Sequence, residues 1–362
     1  MKELGARRSH LGRPHARTGM DLGLVGLGKM GLNMSMRLLR GGHRVVVHNR
    51  SPEPAETARA AGAEVAAEFA DVVAALAAPR VVWLMLPAGA VTDAHVDRFL
   101  DLLEPGDVLV EGGNSRWTDS IARGQRAAGR GIHYVDVGVS GGIWGLAEGY
   151  STIAGGDEAA LAILEPALKT LAPSPTTGWG RVGPTGAGHF VKMIHNGIEY
   201  GVMQAFAEGL AILDAKKDWG VGPDGAPVQE ELDLGHITEV WREGSVVRSW
   251  LLDLTAEALQ ARPGLGGIAP HVPDSGEGRW TVEAAIDLGI PATVLAASLF
   301  ERYTSRTDGF AHRVLSAMRG QFGGHAVRGE AGPDGAYAAE INADGTIDVI
   351  PGGVRTEGAS SR

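Results

Sequence analysis

The chain has 362 residues, of which 44% are hydrophobic, so its length fits about two domains and its composition can fill ordinary globular cores. A formal net charge of -10 argues against a nucleic-acid surface, although a local basic pocket for an anionic small molecule is compatible with it. The sequence has no cysteine, which excludes disulfides, thiolate nucleophiles and cysteine-held metal ions. Unbroken apolar runs such as Val81 to Leu86 are far shorter than the roughly 20 residues of a membrane-spanning helix. We therefore expect a cytoplasmic protein with neither a nucleic-acid nor a membrane partner.

Both ends of the chain have the composition of extensions. Residues 1–19 are rich in arginine and lack an apolar core segment, so we expect a disordered extension and not a secretory signal. Residues 331–362 are rich in glycine, alanine and aspartate, which predicts a flexible tail.

A strand, a glycine-rich turn and a helix follow the N-terminal extension. The segment DLGLVGLGKMGLNMSMRLLRGGHRVVVHNR places Gly26, Gly28 and Gly31 in G-x-G-x-x-G spacing, between an apolar strand and a helix that stops at Gly41 and Gly42. Glycines at these points let the backbone approach a pyrophosphate, whose charge then lies at the positive N-terminus of the helix. The pattern predicts a βαβ unit that binds a dinucleotide.

The end of the second strand indicates which nicotinamide dinucleotide is bound. An acid there would hydrogen-bond the ribose 2′-hydroxyl and repel a 2′-phosphate, but the chain has His48, Asn49, Arg50 and Ser51. The guanidinium fork of Arg50 suits a phosphate, so NADP is favoured. The alternative is that Arg50 is simply solvated in a loop, and NAD is possible. The residues predicted to contact the cofactor are Gly26, Leu27, Gly28, Met30, Gly31, Asn49, Arg50, Ser51, Leu86, Pro87, Ala88 and Asn114.

Three further strands are predicted at residues 81–86, 107–111 and 133–137, with alanine-rich helical segments between them. This alternation predicts an α/β domain with a doubly wound parallel sheet. Two polar, glycine-rich loops, EGGNS at 111–115 and VSGG at 139–142, lie at or after the carboxyl ends of these strands, where such sheets bind ligands.

The stretch VKMIHNGIEYG places four polar side chains on one helical stripe. Lys192, His195, Asn196 and Glu199 stand at i, i+3, i+4 and i+7, and the apolar residues of the helix line the neighbouring face. The stripe is either a solvated surface face or a set of catalytic groups.

Taken together, these motifs resemble the decarboxylating 6-phosphogluconate dehydrogenases of the short bacterial type, within the β-hydroxyacid dehydrogenase superfamily. GLGKMGLNM, EGGNS, VSGG and GAGHFVKMIHNGIEYG stand in the family's order, and the resemblance covers roughly residues 20–327. Lys192 and Asn196 match the whole superfamily, whereas His195, Glu199 and Tyr200 match the 6-phosphogluconate branch.

The second half of the chain shares this resemblance. WREGSVVRSWLL and SGEGRWTVEAAIDLGIPA are similar to segments of the family's helical domain. The resemblance implies an NAD(P)-binding Rossmann domain at residues 20–186. An all-α domain for substrate binding and dimerisation would follow at residues 187–330.

The resemblance also implies the reaction: oxidation of 6-phosphogluconate to ribulose 5-phosphate and carbon dioxide with reduction of NAD(P), in gluconate use and the pentose phosphate pathway. Lys192 would be the general base, which requires burial to lower its pKa from about 10.4, and Glu199 would protonate C1. No metal is implied. The implied substrate-binding residues are Asn114, Ser140, Gly141, Gly142, His195, Asn196, Tyr200, Arg302, Arg319 and His325.

Tyr200, Arg302 and Arg319 are implied to hold the substrate's phosphate. Arg319 and His325 resemble a pair that reaches across a dimer in longer relatives, so a homodimer or homotetramer is expected. Ser275 departs from the long enzymes, which have a phosphate-binding lysine there, and short relatives often prefer NAD. The alternatives are a non-decarboxylating β-hydroxyacid dehydrogenase, such as one for 3-hydroxyisobutyrate, and a non-catalytic NADP-binding regulatory protein.

Overall fold

The structure, a computed structural model, describes residues 19–307, 309–323, 327–328, 338–341 and 347–350. The extension predicted at residues 1–19 lies outside the described residues except for Gly19. In the part of the chain that is described, no helix combines the length and the apolar character needed to cross a membrane.

An eight-stranded sheet forms the first half of the molecule, with strand order β3-β2-β1-β4-β5-β6-β7-β8. All its strand pairs are parallel except β6 with β7. Its strands are β1 (Asp21–Val25), β2 (Arg44–His48), β3 (Glu64–Val65), β4 (Val81–Leu84), β5 (Val108–Glu111), β6 (His133–Ser140), β7 (Ser151–Gly155) and β8 (Trp179–Gly183). The strand order reverses on either side of β1, and ligands bind doubly wound sheets at this kind of reversal.

Helices cover both faces of the sheet, because each buried strand presents apolar side chains alternately to either side. Leu24 and Trp83 belong to the core on one face, and Val25 and Val82 to the core on the other. The helices of this half are α1 (Lys29–Arg40), α2 (Pro52–Ala60), α3 (Phe69–Ala74), α4 (Ala90–Leu102), α5 (Trp117–Ala128), α6 (Gly145–Glu148) and α7 (Glu158–Leu171). The predicted Rossmann-type α/β fold is confirmed.

The antiparallel strand β7 departs from the parallel sheet that we predicted. The connection from β6 to β7 contains only a short 3-10 turn, Gly142–Trp144, and the four-residue helix α6. A parallel crossover needs a dozen or more residues, so the chain turns back beside β6 and pairs with it in the opposite direction.

The second half of the chain is mainly helical, as predicted. Its helices are α8 (Ala187–Ala215), α9 (Leu234–Arg242), α10 (Trp250–Ala261), α11 (Glu277–Asp287), α12 (Thr293–Thr304) and α13 (Phe310–Gly323). Its strands are β9 (Asp218–Val221), β10 (Pro227–Gln229), β11 (Val327–Arg328), β12 (Ala338–Ile341) and β13 (Ile347–Ile350). The strands β9 and β10 form an exposed hairpin that the sequence analysis did not predict, and β12 and β13 lie in the segment predicted as a tail.

Helix α8 joins the two halves. Near its start it packs on β6 and β7, and further along it packs on α11 and α12. One helix contacts both the sheet and the helical bundle. The boundary between the two domains that we placed at residue 186 therefore remains a prediction.

Candidate functional site

A cleft of about 960 Å³ lies between the carboxyl edge of the sheet and helices α8 and α10. Its lining contains nine of the site residues predicted from the sequence. They are Met30, Asn114, Ser140, Gly141, Gly142, Lys192, His195, Asn196 and Glu199. Residues from four separate stretches of sequence thus meet in one cavity.

The glycine-rich loop lies at the β1 end of this edge and is shaped by close backbone contacts. A Cβ on Gly26, whose φ is 94°, would lie 2.4 Å from the carbonyl oxygen of Met85. A Cβ on Gly31 would lie 2.1 Å from the carbonyl oxygen of Gly26. Gly28 differs, because no described atom lies within 4 Å of its Cβ position, and no side chain caps the helix N-terminus there. The open space and the uncapped amides fit a pyrophosphate.

The loop after β2 is tied to the glycine-rich loop. The backbone N–H of Leu27 donates to Oδ1 of Asn49 over 2.8 Å, and the amide of Asn49 donates to the carbonyl oxygen of Ser51. Arg50 is exposed at this point. The loop 86–88 lies beside them, because the side chain of Leu86 would lie 2.9 Å from a Cβ on Gly26.

Asn114 connects the loop after β5 to the end of β6. It has a positive φ of 51°. Its Oδ1 accepts from the backbone N–H of Val139 over 3.2 Å, and its Nδ2 donates to the carbonyl oxygen of Val139 over 3.5 Å. These two bonds fix the position of Ser140, the next residue along the chain.

The first turn of α8 rests directly on the sheet. The carboxylate of Asp136 on β6 accepts from the backbone N–H of Gly186 over 2.6 Å and of His189 over 2.7 Å. Burial raises the pKa of Asp136, and these two amide bonds oppose the rise. A Cβ on Gly138 would lie 2.3 Å from Cβ of Lys192, so β6 needs a glycine where the lysine approaches it.

Lys192 is the central polar group of the cleft and is only 5% exposed. Its Nζ lies 2.5 Å from Oδ1 of Asn196 and 3.5 Å from Nδ1 of His195. Burial lowers the pKa of Lys192, and the negative charges of Glu199 and Glu277 oppose this shift. Nδ1 of His195 lies 3.9 Å from the Glu199 carboxylate, so the polar stripe on α8 is connected from its first member to its last. The lowered pKa is in the direction that a general base needs.

A second polar cluster lies on another side of α8. The guanidinium carbon of Arg302 is 3.5 Å from the ring centre of Tyr200, and Arg302 donates to the carbonyl oxygen of Pro273. The backbone N–H of Ser275 lies 3.5 Å from the hydroxyl of Tyr200, and the Ser275 hydroxyl donates to Glu277 over 2.5 Å.

The predicted substrate-binding residues therefore fall into two groups. Tyr200 and Arg302 are not among the residues that line the cleft. Arg319 lies on α13, where its side chain is not described, and His325 lies outside the described residues.

The sequence analysis missed several residues of the site. Ile143, Trp144 and Trp250 line the cleft, and they are 62%, 44% and 44% exposed. No periodic pattern marks these side chains. Glu277 was also unassigned, although it directly follows the Ser275-Gly276 step where the sequence departs from the long relatives.

Among the described residues, no three histidine, aspartate or glutamate side chains lie together in a group that could hold a metal ion. The strand order and the open glycine loop define a protein with a Rossmann-type sheet of the dinucleotide-binding class. The comparisons with known proteins agree with this class and narrow it.

Residues 21–180 match the model of the NAD-binding domain of 6-phosphogluconate dehydrogenase, and residues 188–325 match that enzyme's C-terminal domain. The NAD(+)-dependent decarboxylating 6-phosphogluconate dehydrogenase of Haloferax volcanii is 39% identical over 310 residues, which cover 85% of this chain and 98% of the relative. The chain belongs to the 6-phosphogluconate dehydrogenase family.

Longer members of the family are also similar. The NADP(+)-dependent decarboxylating enzyme of Bacillus subtilis is 34% identical over 299 residues, which cover 79% of this chain and 61% of the relative. The solved structure of Plasmodium falciparum 6-phosphogluconate dehydrogenase superimposes with a TM-score of 0.71 and 27% identity, covering 84% of this chain and 65% of that one. The chain thus spans about two thirds of the length of these longer proteins.

Proposed function

We propose that this protein oxidises and decarboxylates 6-phosphogluconate to ribulose 5-phosphate and carbon dioxide, in gluconate use and the pentose phosphate pathway. The observation that carries the proposal is the buried Lys192 amine, hydrogen-bonded to Asn196 in a cleft that also holds Glu199. Relatives from Haloferax volcanii and Bacillus subtilis carry the name of this activity.

Lys192 begins the reaction as a general base. Burial favours its neutral form, which takes the proton of the substrate's C3 hydroxyl. The bound nicotinamide supplies the hydride acceptor. The protonated Lys192 then donates a hydrogen bond to the new C3 carbonyl oxygen, which stabilises the enediol that forms as carbon dioxide leaves.

Glu199 completes the reaction by protonating C1 of the enediol. It lies on the same stripe of α8 as Lys192, about two helical turns away, so the two groups can flank one sugar. His195 and Asn196 hydrogen-bond the hydroxyls and the carboxylate, and Asn114 forms the opposite wall with the loop from Ser140 to Gly142.

The phosphate of the substrate lies at the second cluster. Tyr200 and Arg302 of one chain hold the phosphate. Arg319 and His325, both contributed by a partner subunit, complete this end of the site. The active form is therefore a homodimer or a homotetramer, in which each site is completed by a second chain. Ser275 and Glu277 stand in this cluster, so this chain has one phosphate-binding cation fewer than the long enzymes.

NADP is the preferred cofactor in this proposal. Arg50 is exposed directly after β2, and none of residues 48–51 is acidic. The named relatives include one NAD(+)-dependent and one NADP(+)-dependent enzyme, so family membership alone does not choose between them.

The test follows NADH and NADPH formation with 6-phosphogluconate while carbon dioxide is trapped, with gluconate and the Lys192→Ala variant as controls. Equal amounts of reduced cofactor and carbon dioxide support the proposal. Reduction without carbon dioxide would identify a non-decarboxylating β-hydroxyacid dehydrogenase. Cofactor binding without any turnover, across a panel of β-hydroxyacids, would identify a regulatory protein.

A further inference from the structure

A buried polar cluster lies beneath the cleft, in a part of the molecule that the proposed reaction does not use. Its centre is Glu111, the last residue of β5, whose side chain is fully buried. One carboxylate oxygen, Oε1, accepts from Nη1 of Arg123 over 2.6 Å. The other, Oε2, accepts from the hydroxyl of Ser120 over 3.1 Å and from the hydroxyl of Tyr134.

Ser120 joins this carboxylate to helix α8. Its Oγ lies 2.8 Å from Nδ1 of His189, in the first turn of that helix. A serine hydroxyl has one hydrogen, and a carboxylate can only accept. If both contacts of Ser120 are hydrogen bonds, the hydroxyl donates to Glu111 and Nδ1 of His189 carries the proton that joins it to Ser120. The chain of bonds therefore runs from His189 through Ser120 to Glu111, and it selects the Nδ1–H tautomer of His189. Nε2 of His189 is buried and has no hydrogen-bond partner among the described residues.

The cluster also reaches the loops that face the cofactor. Glu111 leads directly into the loop that carries Asn114. Arg123 donates to Asp93 at the start of α4 over 2.9 Å, and its Nη2 lies 3.5 Å from the carbonyl oxygen of Gly89, just after the loop 86–88. One carboxylate thus fixes two loops on the cofactor side and, through Ser120, the helix that carries Lys192.

His189 precedes Lys192 by three residues, a rise of about 4.5 Å along the helix. Asp136 already satisfies two backbone amides at this helix start, so closing the helix does not require the side chain of His189. Buried polar groups are costly unless they are fully paired, and a set of apolar side chains would fill the same space at lower cost. The hydrogen-bonded side chains add a fixed orientation of the first turn of α8, because hydrogen bonds constrain that orientation more strictly than apolar packing does.

We propose that His189, Ser120 and Glu111 form a positioning relay that holds the first turn of α8, and with it Lys192, in register with the cofactor-binding sheet. The proposal rests on the proposed function in one respect, the role of Lys192 as the base. In a variant that lacks the relay, the amine of Lys192 moves relative to the C3 hydroxyl of the substrate and becomes more hydrated.

Two variants with matched losses test the relay. Ser120→Ala and Tyr134→Phe each remove one buried hydroxyl from the same oxygen of Glu111, but only Ser120→Ala breaks the link to His189. For Ser120→Ala we expect kcat to fall about ten- to a hundredfold while the KM for the cofactor changes by less than about twofold. Tyr134→Phe keeps kcat within about threefold of the wild-type value, and Ser120→Thr, which retains the hydroxyl, recovers most of the loss.

The isotope effect separates positioning from loss of folded enzyme. With substrate deuterated at C3, Ser120→Ala should show a larger kinetic isotope effect than wild type, because hydride transfer becomes slower than the other steps. A smaller active fraction alone leaves the isotope effect unchanged. If Ser120→Ala does not fold, His189→Phe gives the same comparison from the other side of the contact, because it keeps an aromatic ring but removes Nδ1 together with the unpaired Nε2. Equal effects of the Ser120 or His189 variant and of Tyr134→Phe would overturn the relay.

A second measurement, of the protonation of Lys192, does not require catalytic activity. Pyridoxal 5′-phosphate with borohydride labels only neutral amines, so the pH dependence of Lys192 labelling, read by mass spectrometry, follows its protonation. His195 and Glu199 on α8 and Glu277 on α11 face Lys192, and all three are unchanged in the variants. Ser120→Ala should move the labelling profile to higher pH, whereas Tyr134→Phe should not. If wild type fails to oxidise 6-phosphogluconate, the proposed function falls, and this shift still decides whether the relay positions Lys192.

Discussion

At the scale of single residues, the decisive feature is the environment of Lys192. The amine is buried beside an amide oxygen, with carboxylates near enough to oppose, but not to outweigh, the effect of burial on its pKa. A lowered pKa raises the fraction of neutral amine at a given pH above that of an ordinary exposed lysine, and the neutral amine is the form that accepts a proton.

The activity should therefore depend on Lys192 and on pH. Lys192→Ala should lower kcat by about a thousandfold or more while the protein still binds its cofactor. Because the base acts in its neutral form, kcat/KM of wild type should rise with pH, with a midpoint below the ordinary lysine pKa of about 10.4. Steady-state rates across pH and a cofactor titration by fluorescence measure both effects. A Lys192→Ala variant that keeps a tenth of the rate would exclude this role.

Arg50 should decide the choice of cofactor. Its guanidinium is expected to pair with the 2′-phosphate of NADP and has no comparable partner in NAD. A charge-assisted contact contributes about 1.5 to 3 kcal/mol, so Arg50→Ala should weaken NADP binding about ten- to a hundredfold and leave NAD binding nearly unchanged. Arg59→Ala, which removes an exposed arginine from α2, is the control. Equal losses for the two cofactors in Arg50→Ala would count against the assignment.

The sequence was sufficient to predict site residues that recur at helical intervals. Lys192, His195, Asn196 and Glu199 were placed on one stripe because the period of 3.6 residues is a local property, and all four line the cleft. Trp250 could not be predicted in the same way. It comes from a helix that is distant in sequence, so its place depends on tertiary packing that no local pattern records.

At the scale of elements, α8 holds the site together because it is seated on the sheet by backbone contacts. Gly138 on β6 leaves room for Lys192, and Gly188 on α8 approaches the carbonyl oxygens of Asp136 and Ile153. A Cβ at Gly188 would lie 2.3 Å from the oxygen of Asp136, so this helix and this sheet can meet only through glycine.

The cap provided by Asp136 gives a prediction for stability. Asp136→Ala leaves two buried amides, of Gly186 and His189, without an acceptor, and each such loss costs about 1 to 3 kcal/mol. The free energy of unfolding should fall by about 2 to 6 kcal/mol. Asp136→Asn retains one carbonyl oxygen and should lose clearly less. Urea unfolding curves compare the two variants, and equal losses would show that the cap is not the cause.

Helices and strands were predicted where their apolar residues follow a recognisable pattern. The strands β4 and β5 were recognised because buried parallel strands have continuous apolar runs. Strand β6 begins with His133 and its apolar residues are interrupted by Asp136, and the strand was still predicted at residues 133–137. The hairpin of β9 and β10 was missed because all its residues are exposed, so no alternation of buried and exposed side chains appears in the sequence. Strand β7 was not among the predicted strands, and its antiparallel direction follows from the short connection after β6.

At the scale of the whole molecule, the proposed function requires the two polar clusters to act on one substrate. Lys192 and Asn196 line the cleft, while Tyr200 lies on a different side of α8, where Arg302 of α12 stacks on its ring. In the proposed function, Arg319 and His325 of a second subunit complete the phosphate end. This part of the site was predicted only through the resemblance, because contacts between chains leave no local pattern in a single sequence.

Shared sites can be tested by mixing two inactive chains. Lys192→Ala and His325→Ala should each be inactive alone, and a heterodimer would contain one site with both residues intact. Activity should recover to about a quarter to a half of wild type after the subunits exchange, in the symmetric arrangement expected of a dimer. Mass spectrometry of the mixture verifies the exchange. Exchange without recovery would mean that His325 does not serve the partner's site.

The exposed hairpin after α8 makes the protein divisible into two complementary pieces. A cut in its turn, between Gly222 and Ala226, leaves the sheet and the whole of α8 on the first piece, and Glu277 and Arg302 on the second. Helices α11 and α12 of the second piece pack on α8, so apolar contact can hold the pieces together without a covalent link. In the proposed function, the first piece thus keeps Lys192, Glu199 and Tyr200, and the second piece supplies Arg302. We therefore expect the activity of a chain split at this turn to report the reassembly of the two pieces.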